Sequence, residues 1–157
     1  MTTTRTELEG TMAAKGLALG SARVVYSTKI DVETEPLPAA GIPNEVKRFE
    51  GALKTARIEL ANLSEKVSGA LARDLSEIID AHAMILDDPE FTDAVIALIR
   101  KDQLRATAAL KRQRDLLAEA FDAIDDPYLR ARRDDLDHVV ARVYAALARG
   151  GAQPERK

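Results

Sequence analysis

The feature that most constrains this chain is a helical period of apolar residues, which runs from residue 44 almost to the end. Apolar residues at alternating three- and four-residue steps place one apolar face on an α-helix. The first such stripe consists of Val46, Phe49, Leu53, Ala56, Leu60, Leu63 and Val67. The pattern then predicts a second helix carrying Leu71 to Leu86, a short third from Pro89 to Ile99, a fourth from about Ala106 to Ile124, and a fifth carrying Leu129 to Leu147.

Two similar breaks divide the later helices. Asp87-Asp88-Pro89 and Asp125-Asp126-Pro127 each combine an acidic residue that can cap a helix with a proline suited to the first helical position. Gly150-Gly151 is expected to end the last helix. These signals predict a mainly α fold with two packed helical hairpins, similar to a four-helix bundle, over residues 44–150. Residues 151–157 are expected to form a disordered tail.

The first 43 residues have a different character. Leu17 to Tyr26 is short and partly β-branched, which predicts a β-strand bent at Gly20. Residues 32–43 contain three prolines and a glycine and predict an extended connector. Because one strand cannot form a sheet, it could pair with the connector near Val32, pair across a dimer, or belong to a sheet in sequence outside this chain.

Composition excludes several functions. The chain has no cysteine, so disulfides, thiolate zinc sites and cysteine nucleophiles are absent. A net charge of −3 and 4% aromatic residues give no basis for nucleic-acid binding. The sequence lacks both an apolar run of about 20 residues, which a membrane span requires, and the apolar core of a signal peptide. We therefore expect a cytoplasmic protein.

Charge is unevenly distributed along the helices. Seven acidic residues and no lysine or arginine occur between residues 74 and 99: Asp74, Glu77, Asp80, Asp87, Asp88, Glu90 and Asp93. The stretch from Arg100 to Arg114 reverses the sign, with six basic residues against Asp102. Two interpretations remain open: solvated faces that attract each other within the bundle, or an acidic docking surface for a basic partner.

Few residues indicate chemistry. His82 lies in an apolar stripe, where it is either a buried core residue or a functional one, and Arg132 interrupts the stripe of the fifth helix. Asp135-x-x-His138 resembles half of the Glu-x-x-His signature of di-iron bundles, but the sequence has no second copy. We therefore expect neither a metal nor catalytic residues. A metal-dependent helical enzyme using Asp135 and His138 remains a third hypothesis.

Four motifs in order resemble enzyme I of the phosphoenolpyruvate phosphotransferase system, over about residues 10 to 150. The opening is Gly10-Thr-Met-Ala-Ala-Lys-Gly16-Leu-Ala-Leu-Gly20-Ser-Ala-Arg, and Glu45-Val-x-Arg48-Phe49 is similar to the start of the family's first long helix. The other two are Glu77-Ile-Ile-Asp-Ala-His82-Ala-Met84-Ile-Leu-Asp-Asp88-Pro and Asp126-Pro-Tyr128-Leu-Arg-Ala-Arg132-Arg-Asp-Asp135-Leu. Asp137-His138 departs from the family pattern, which has x-Asp there.

The resemblance implies a non-catalytic helical domain that docks the phosphocarrier HPr or its relative NPr, with the choice between them open. It implies that the phosphohistidine segment, phosphoenolpyruvate and magnesium belong to other parts of the full-length enzyme, so this chain should need no cofactor. It also implies that the predicted strand pairs within an α/β swivelling domain. The implied carrier-binding residues are Asp74, His82, Met84, Ile85, Asp88, Glu90, Phe91 and Arg132. The alternative is a free-standing regulatory or scaffold bundle without a phosphotransfer role.

Overall fold

The computed structural model describes residues 30–69 and 72–150, together with residues 7, 9–10, 15–17 and 19–21. Its helices are α1 (Ile42–Lys66), α2 (Ala72–Asp87), α3 (Pro89–Lys101), α4 (Ala106–Asp122) and α5 (Pro127–Ala148), with a 3-10 turn at Ala39–Gly41. The prediction of a mainly helical fold is confirmed, and the described residues contain no strand. Most of the predicted strand at residues 17–26, and all of the predicted tail, lie outside the described residues.

The two Asp-Asp-Pro segments begin helices as predicted. The Asp88 carboxylate accepts a hydrogen bond from the backbone N–H of Glu90 at 2.9 Å, and α3 starts at Pro89. The Asp126 carboxylate likewise accepts from the N–H of Tyr128 at 2.8 Å, and α5 starts at Pro127. Each cap satisfies an amide that has no partner within its own helix.

Replacing Asp126 with alanine should lower the free energy of unfolding by about 1 kcal/mol, the usual cost of losing a helix cap. Chemical denaturation followed by circular dichroism measures this change. Asp125→Ala is the matched control, because the carboxylate of Asp125 is 92% exposed and pairs with Arg130 on the surface. Exposed ion pairs contribute little, so equal losses in the two variants would contradict the capping role of Asp126.

Most of the predicted first stripe forms the core. The residues from Val46 to Leu60 in that stripe are buried, whereas Leu63 is 43% exposed. On α2 the buried residues are Ile79, His82 and Leu86, while Leu75 and Ile78 are about half exposed. The period correctly identified the helix, but the first turns of α2 bury no residue, so their apolar side chains remain at the surface.

Helix α1 is central to the packing and contacts each of the other four helices. Helix α5 packs against α1, α2 and α4, and α3 packs against α1, α2 and α4. The five helices therefore pack into one bundle. None of the helices in the described residues is long and apolar enough to cross a membrane.

The described part of the predicted connector is held against the bundle. The backbone N–H of Asp31 donates to the hydroxyl of Tyr144 on α5, and the N–H of Glu33 donates to the hydroxyl of Thr107 on α4, both at 3.0 Å. The side chain of Leu37 is almost fully buried in the core. Residues 30–41 consequently pack as part of the helical unit, although they precede its first long helix.

Candidate docking groove

A groove of about 790 Å³ opens between α2, α3, α4 and α5. We call it the α2–α5 groove. Its lining residues are Asp80, Ala83, Met84, Ile85, Asp87, Asp88, Glu90, Phe91, Leu117, Phe121, Tyr128, Leu129, Arg132 and Leu136. Four helices therefore contribute to one surface, which has an apolar floor and a charged rim.

The apolar part of the groove ranges from buried to exposed. Phe91 and Leu136 are each 1% exposed and belong to the core, so they form its fixed floor. Met84 on α2 and Tyr128 on α5 are each 63% exposed. Methionine and tyrosine are enriched at the centres of protein interfaces. Such apolar side chains beside a concave surface are typical of sites that bind another protein.

Four carboxylates surround this apolar surface, and two of them have structural partners. Asp87 accepts a hydrogen bond from Nε of Arg57 at 2.8 Å, and Asp88 caps α3. Within residues 30–69 and 72–150, the carboxylates of Asp80 and Glu90 make no hydrogen bond or ion pair. These two side chains give the rim a negative charge that is free to act on a partner.

Arg132 supplies the positive charge of the groove. Its guanidinium donates hydrogen bonds to the hydroxyl of Tyr128, with Nη2 at 3.1 Å, and its Cζ lies 5.5 Å from the centre of the Tyr128 ring. In the described part of the chain it forms no ion pair, whereas Arg133 pairs with Asp122 at 2.8 Å. Of these two neighbouring arginines, Arg132 is therefore the one available to an incoming carboxylate.

The structure brings six of the eight predicted site residues together. Met84, Ile85, Asp88, Glu90, Phe91 and Arg132 all line the α2–α5 groove. Asp74 is exposed in the first turn of α2, about 15 Å along the helix axis from Met84 at 1.5 Å per residue. His82 is 8% exposed and does not line the groove.

Sequence reasoning did not identify the wall of the groove that α4 provides. Leu117 and Phe121 on α4 are partly buried and line the groove. Their apolar spacing predicted a core stripe, and nothing in that spacing distinguishes a core position from a groove position. Tyr128 also lines the groove, although the motif that contains it did not predict a contact at this residue.

Behind the groove, α2 and α5 bring a second set of side chains together. Nε2 of His82 lies 3.3 Å from Oδ1 of Asp135, and the ring centre of His82 lies 5.7 Å from that of His138. Among the described residues Nε2 of His82 is buried without a geometrically satisfied hydrogen bond, although the Asp135 carboxylate is close enough to stabilise a protonated ring. Burial lowers the pKa of His82, because it disfavours the charged imidazolium more than Asp135 stabilises it.

The ligand atoms of His82, Asp135 and His138 all lie within 4.8 Å of one another. Magnesium, the cation implied for the full-length family enzyme, prefers an oxygen shell. Two imidazole nitrogens and a single carboxylate do not fit that preference. Among the residues that the structure describes, no other group of three such donors is present, so we assign no magnesium site to this chain.

The fold and groove define this chain as a helical bundle with the features of a protein-binding surface. The chain belongs to the family described as PEP-utilising enzyme, N-terminal, whose sequence model matches residues 9–132. The resemblance to enzyme I seen in the sequence motifs is thereby confirmed.

Individual relatives agree with this family. The chain is 34% identical over 141 residues to a phosphoenolpyruvate-protein phosphotransferase of Listeria monocytogenes and 35% identical over 141 residues to one of Cupriavidus necator. In both cases the match covers 90% of this chain and 24% of the relative, so the chain spans about a quarter of their length. A solution NMR structure of enzyme I superimposes with a TM-score of 0.71 at 26% identity, covering 77% of this chain and 49% of that one.

Proposed function

We propose that this chain is the docking domain of a phosphoenolpyruvate-protein phosphotransferase, and that it holds a phosphocarrier of the HPr or NPr type in the α2–α5 groove. In this role it positions the carrier in the cytoplasm while other parts of the enzyme transfer the phosphoryl group. The chain itself performs no chemistry, and we assign it no catalytic residue. The observation that carries the proposal is the groove, where free charges of both signs flank exposed apolar side chains.

The free carboxylates at the rim of the groove favour a partner with a basic surface. Asp80 and Glu90 have no partner in the described part of the chain, so their fields extend into solvent. Complementary charge raises the association rate and fixes the orientation of the partner, and it weakens with salt. Arg132 offers one site for an acceptor group and would select against a partner that is basic throughout.

Apolar contacts supply the remaining specificity. Met84 on α2 and Tyr128 on α5 are exposed lining residues of the groove, whereas Phe91 and Leu136 are buried in it. A partner that packs apolar side chains against Met84 and Tyr128 would remove both from water. Interface energy usually concentrates in such a central cluster, with charged residues around it.

Replacing Met84 or Arg132 with alanine should weaken carrier binding by about 1–3 kcal/mol each, which is about 5–150-fold in Kd. Both side chains lie at the groove surface, so their loss should leave the fold intact. The measurement is an NMR titration of the isotope-labelled chain with unphosphorylated HPr and, separately, with NPr. In the unmodified chain, shifts should centre on residues 80–91 and 128–132, shrink at high salt, and identify which carrier is preferred.

Each variant has a matched control. Leu116→Ala removes a half-exposed apolar side chain from α4, and Arg130→Ala removes an exposed arginine from α5; neither residue lines the groove. If these controls weaken binding as much as the groove variants do, the groove is not the docking site. If neither carrier shifts any signal, the docking function is contradicted and the regulatory or scaffold alternative takes its place.

A further inference from the structure

We propose that His82, Asp135 and His138 bind one divalent transition-metal ion, with zinc as the expected occupant. The site lies between α2 and α5. It goes beyond the docking function, because none of the three residues lines the α2–α5 groove.

The three donors are brought together by the fold. Asp135 and His138 are three residues apart on α5, so they project from the same helix face. His82 reaches them from the adjacent α2, and all three ligand atoms lie within 4.8 Å of one another. A zinc ion with bonds of about 2.0–2.2 Å holds tetrahedral ligand atoms about 3.3–3.6 Å apart, so small side-chain rotations would bring the three donors onto one ion. The sequence alone showed only the Asp135-x-x-His138 half, because the third donor lies on a different helix.

The buried Nε2 atom of His82 also favours a bound metal ion. The side chain of His82 is nine-tenths buried, and within the part of the chain that the structure describes Nε2 makes no satisfied hydrogen bond, although Oδ1 of Asp135 is 3.3 Å away. Buried polar atoms are nearly always satisfied, so an atom left in this state calls for a partner that the described side chains do not supply. A metal ion between His82 and Asp135 would satisfy both.

The donor set selects the class of metal. Two imidazoles and one carboxylate suit zinc, copper or nickel, whereas magnesium and calcium prefer oxygen alone. Three protein ligands leave one position of a tetrahedral zinc ion for water. His138 is exposed and Asp135 partly so, which gives an ion access from solvent. The depressed pKa of His82 also favours the neutral imidazole that a metal requires.

Neighbouring charge does not oppose the site. Arg142 lies on α5 near His82, and its guanidinium is 3.7 Å from a carboxylate oxygen of Glu59. Glu59 also pairs with Arg149, so this acidic residue anchors two arginines to α1. The positive charge of Arg142 is thus already paired with Glu59, and Asp135 remains available as a ligand.

The test is calorimetric titration of the tag-free, chelator-treated full chain with zinc chloride. We expect one saturable site per chain and a rise in the melting temperature when it fills. Loss of even a residue that supports a metal ligand costs about 10–100-fold in affinity, so His138→Gln and Asp135→Asn should each weaken zinc binding by at least about tenfold. Both side chains reach the surface, so these variants should fold without metal, which circular dichroism would verify.

Two controls make the result decisive. Asp134→Asn removes an exposed carboxylate next to Asp135 and should leave zinc affinity unchanged. Cobalt in place of zinc should give the visible absorption of a four-coordinate site in the unmodified chain and lose it in the His138 variant. No saturable zinc binding, or equal binding in the ligand variants, would overturn the proposal. Neither outcome bears on carrier docking, which the groove variants test separately.

Discussion

Replacing Phe91 with alanine is expected to lower the free energy of unfolding by about 3–5 kcal/mol, the range for truncating a fully buried aromatic side chain. Phe91 is 1% exposed, belongs to the core cluster, and also forms part of the floor of the α2–α5 groove. Its removal would therefore open a cavity beneath the surface that we assign to carrier binding. Because domains are stable by only about 5–15 kcal/mol, this single change should be visible in urea denaturation.

Phe121→Ala is the matched control for Phe91→Ala. Phe121 lines the same groove but is only partly buried, so the same truncation should cost clearly less. If Phe91→Ala and Phe121→Ala lowered the free energy of unfolding by similar amounts, the floor of the groove would have relaxed around the cavity at Phe91. The burial of Phe91 would then not be what stabilises the groove. The comparison matters for binding as well, since a reduced affinity in the Phe91 variant would combine unfolding with lost contact. A substitution at Asp88 would mix the same two effects, because Asp88 lines the groove and also caps α3.

Helix positions could be predicted from the sequence because their signals are local. Asp88 and Asp126 each supply a side-chain cap, the prolines that follow them suit the first helical position, and both helices begin there. The stripe from Val46 to Leu60 likewise gave the buried face of α1. In these cases the physics involves residues no more than four apart, which a linear pattern records directly.

Which residues form the groove depends on contacts between residues that are far apart in the chain. A pattern along the sequence does not record these contacts. Period alone shows which face of a helix is apolar but not which helix covers it, so the α4 wall with Leu117 and Phe121 was not predicted. His82 was recognised as unusual, yet its neighbours on α5 follow more than fifty residues later in the chain. The resemblance to enzyme I supplied part of this missing information, since six of the residues that it implied do meet in the groove.

The same limit applies to Glu45, whose role follows from a contact between distant segments. Glu45 is 6% exposed, and its Oε1 accepts hydrogen bonds from Nη1 of Arg48 at 2.9 Å and from the backbone N–H of Ala106 at 2.8 Å. Ala106 is the first residue of α4, and the residue before it provides no side-chain cap. A carboxylate on α1 thus performs the capping that α4 lacks locally, and its negative charge suits a helix N-terminus.

We therefore expect Glu45→Ala to lower the free energy of unfolding by about 1.5–3 kcal/mol, because it leaves a buried amide without its charged acceptor. Glu45→Gln keeps an oxygen that can accept from the Ala106 amide, so it should lower the free energy of unfolding by less than Glu45→Ala does. The difference between the two variants reports the hydrogen bond to that amide. Glu50→Ala, an exposed change on the same helix, should have little effect. Hydrogen exchange adds a local measurement, since the Ala106 amide should lose protection in Glu45→Ala before the rest of α4 does. Unchanged protection there, or equal stability of the Glu45→Ala and Glu50→Ala variants, would contradict a cap supplied by α1.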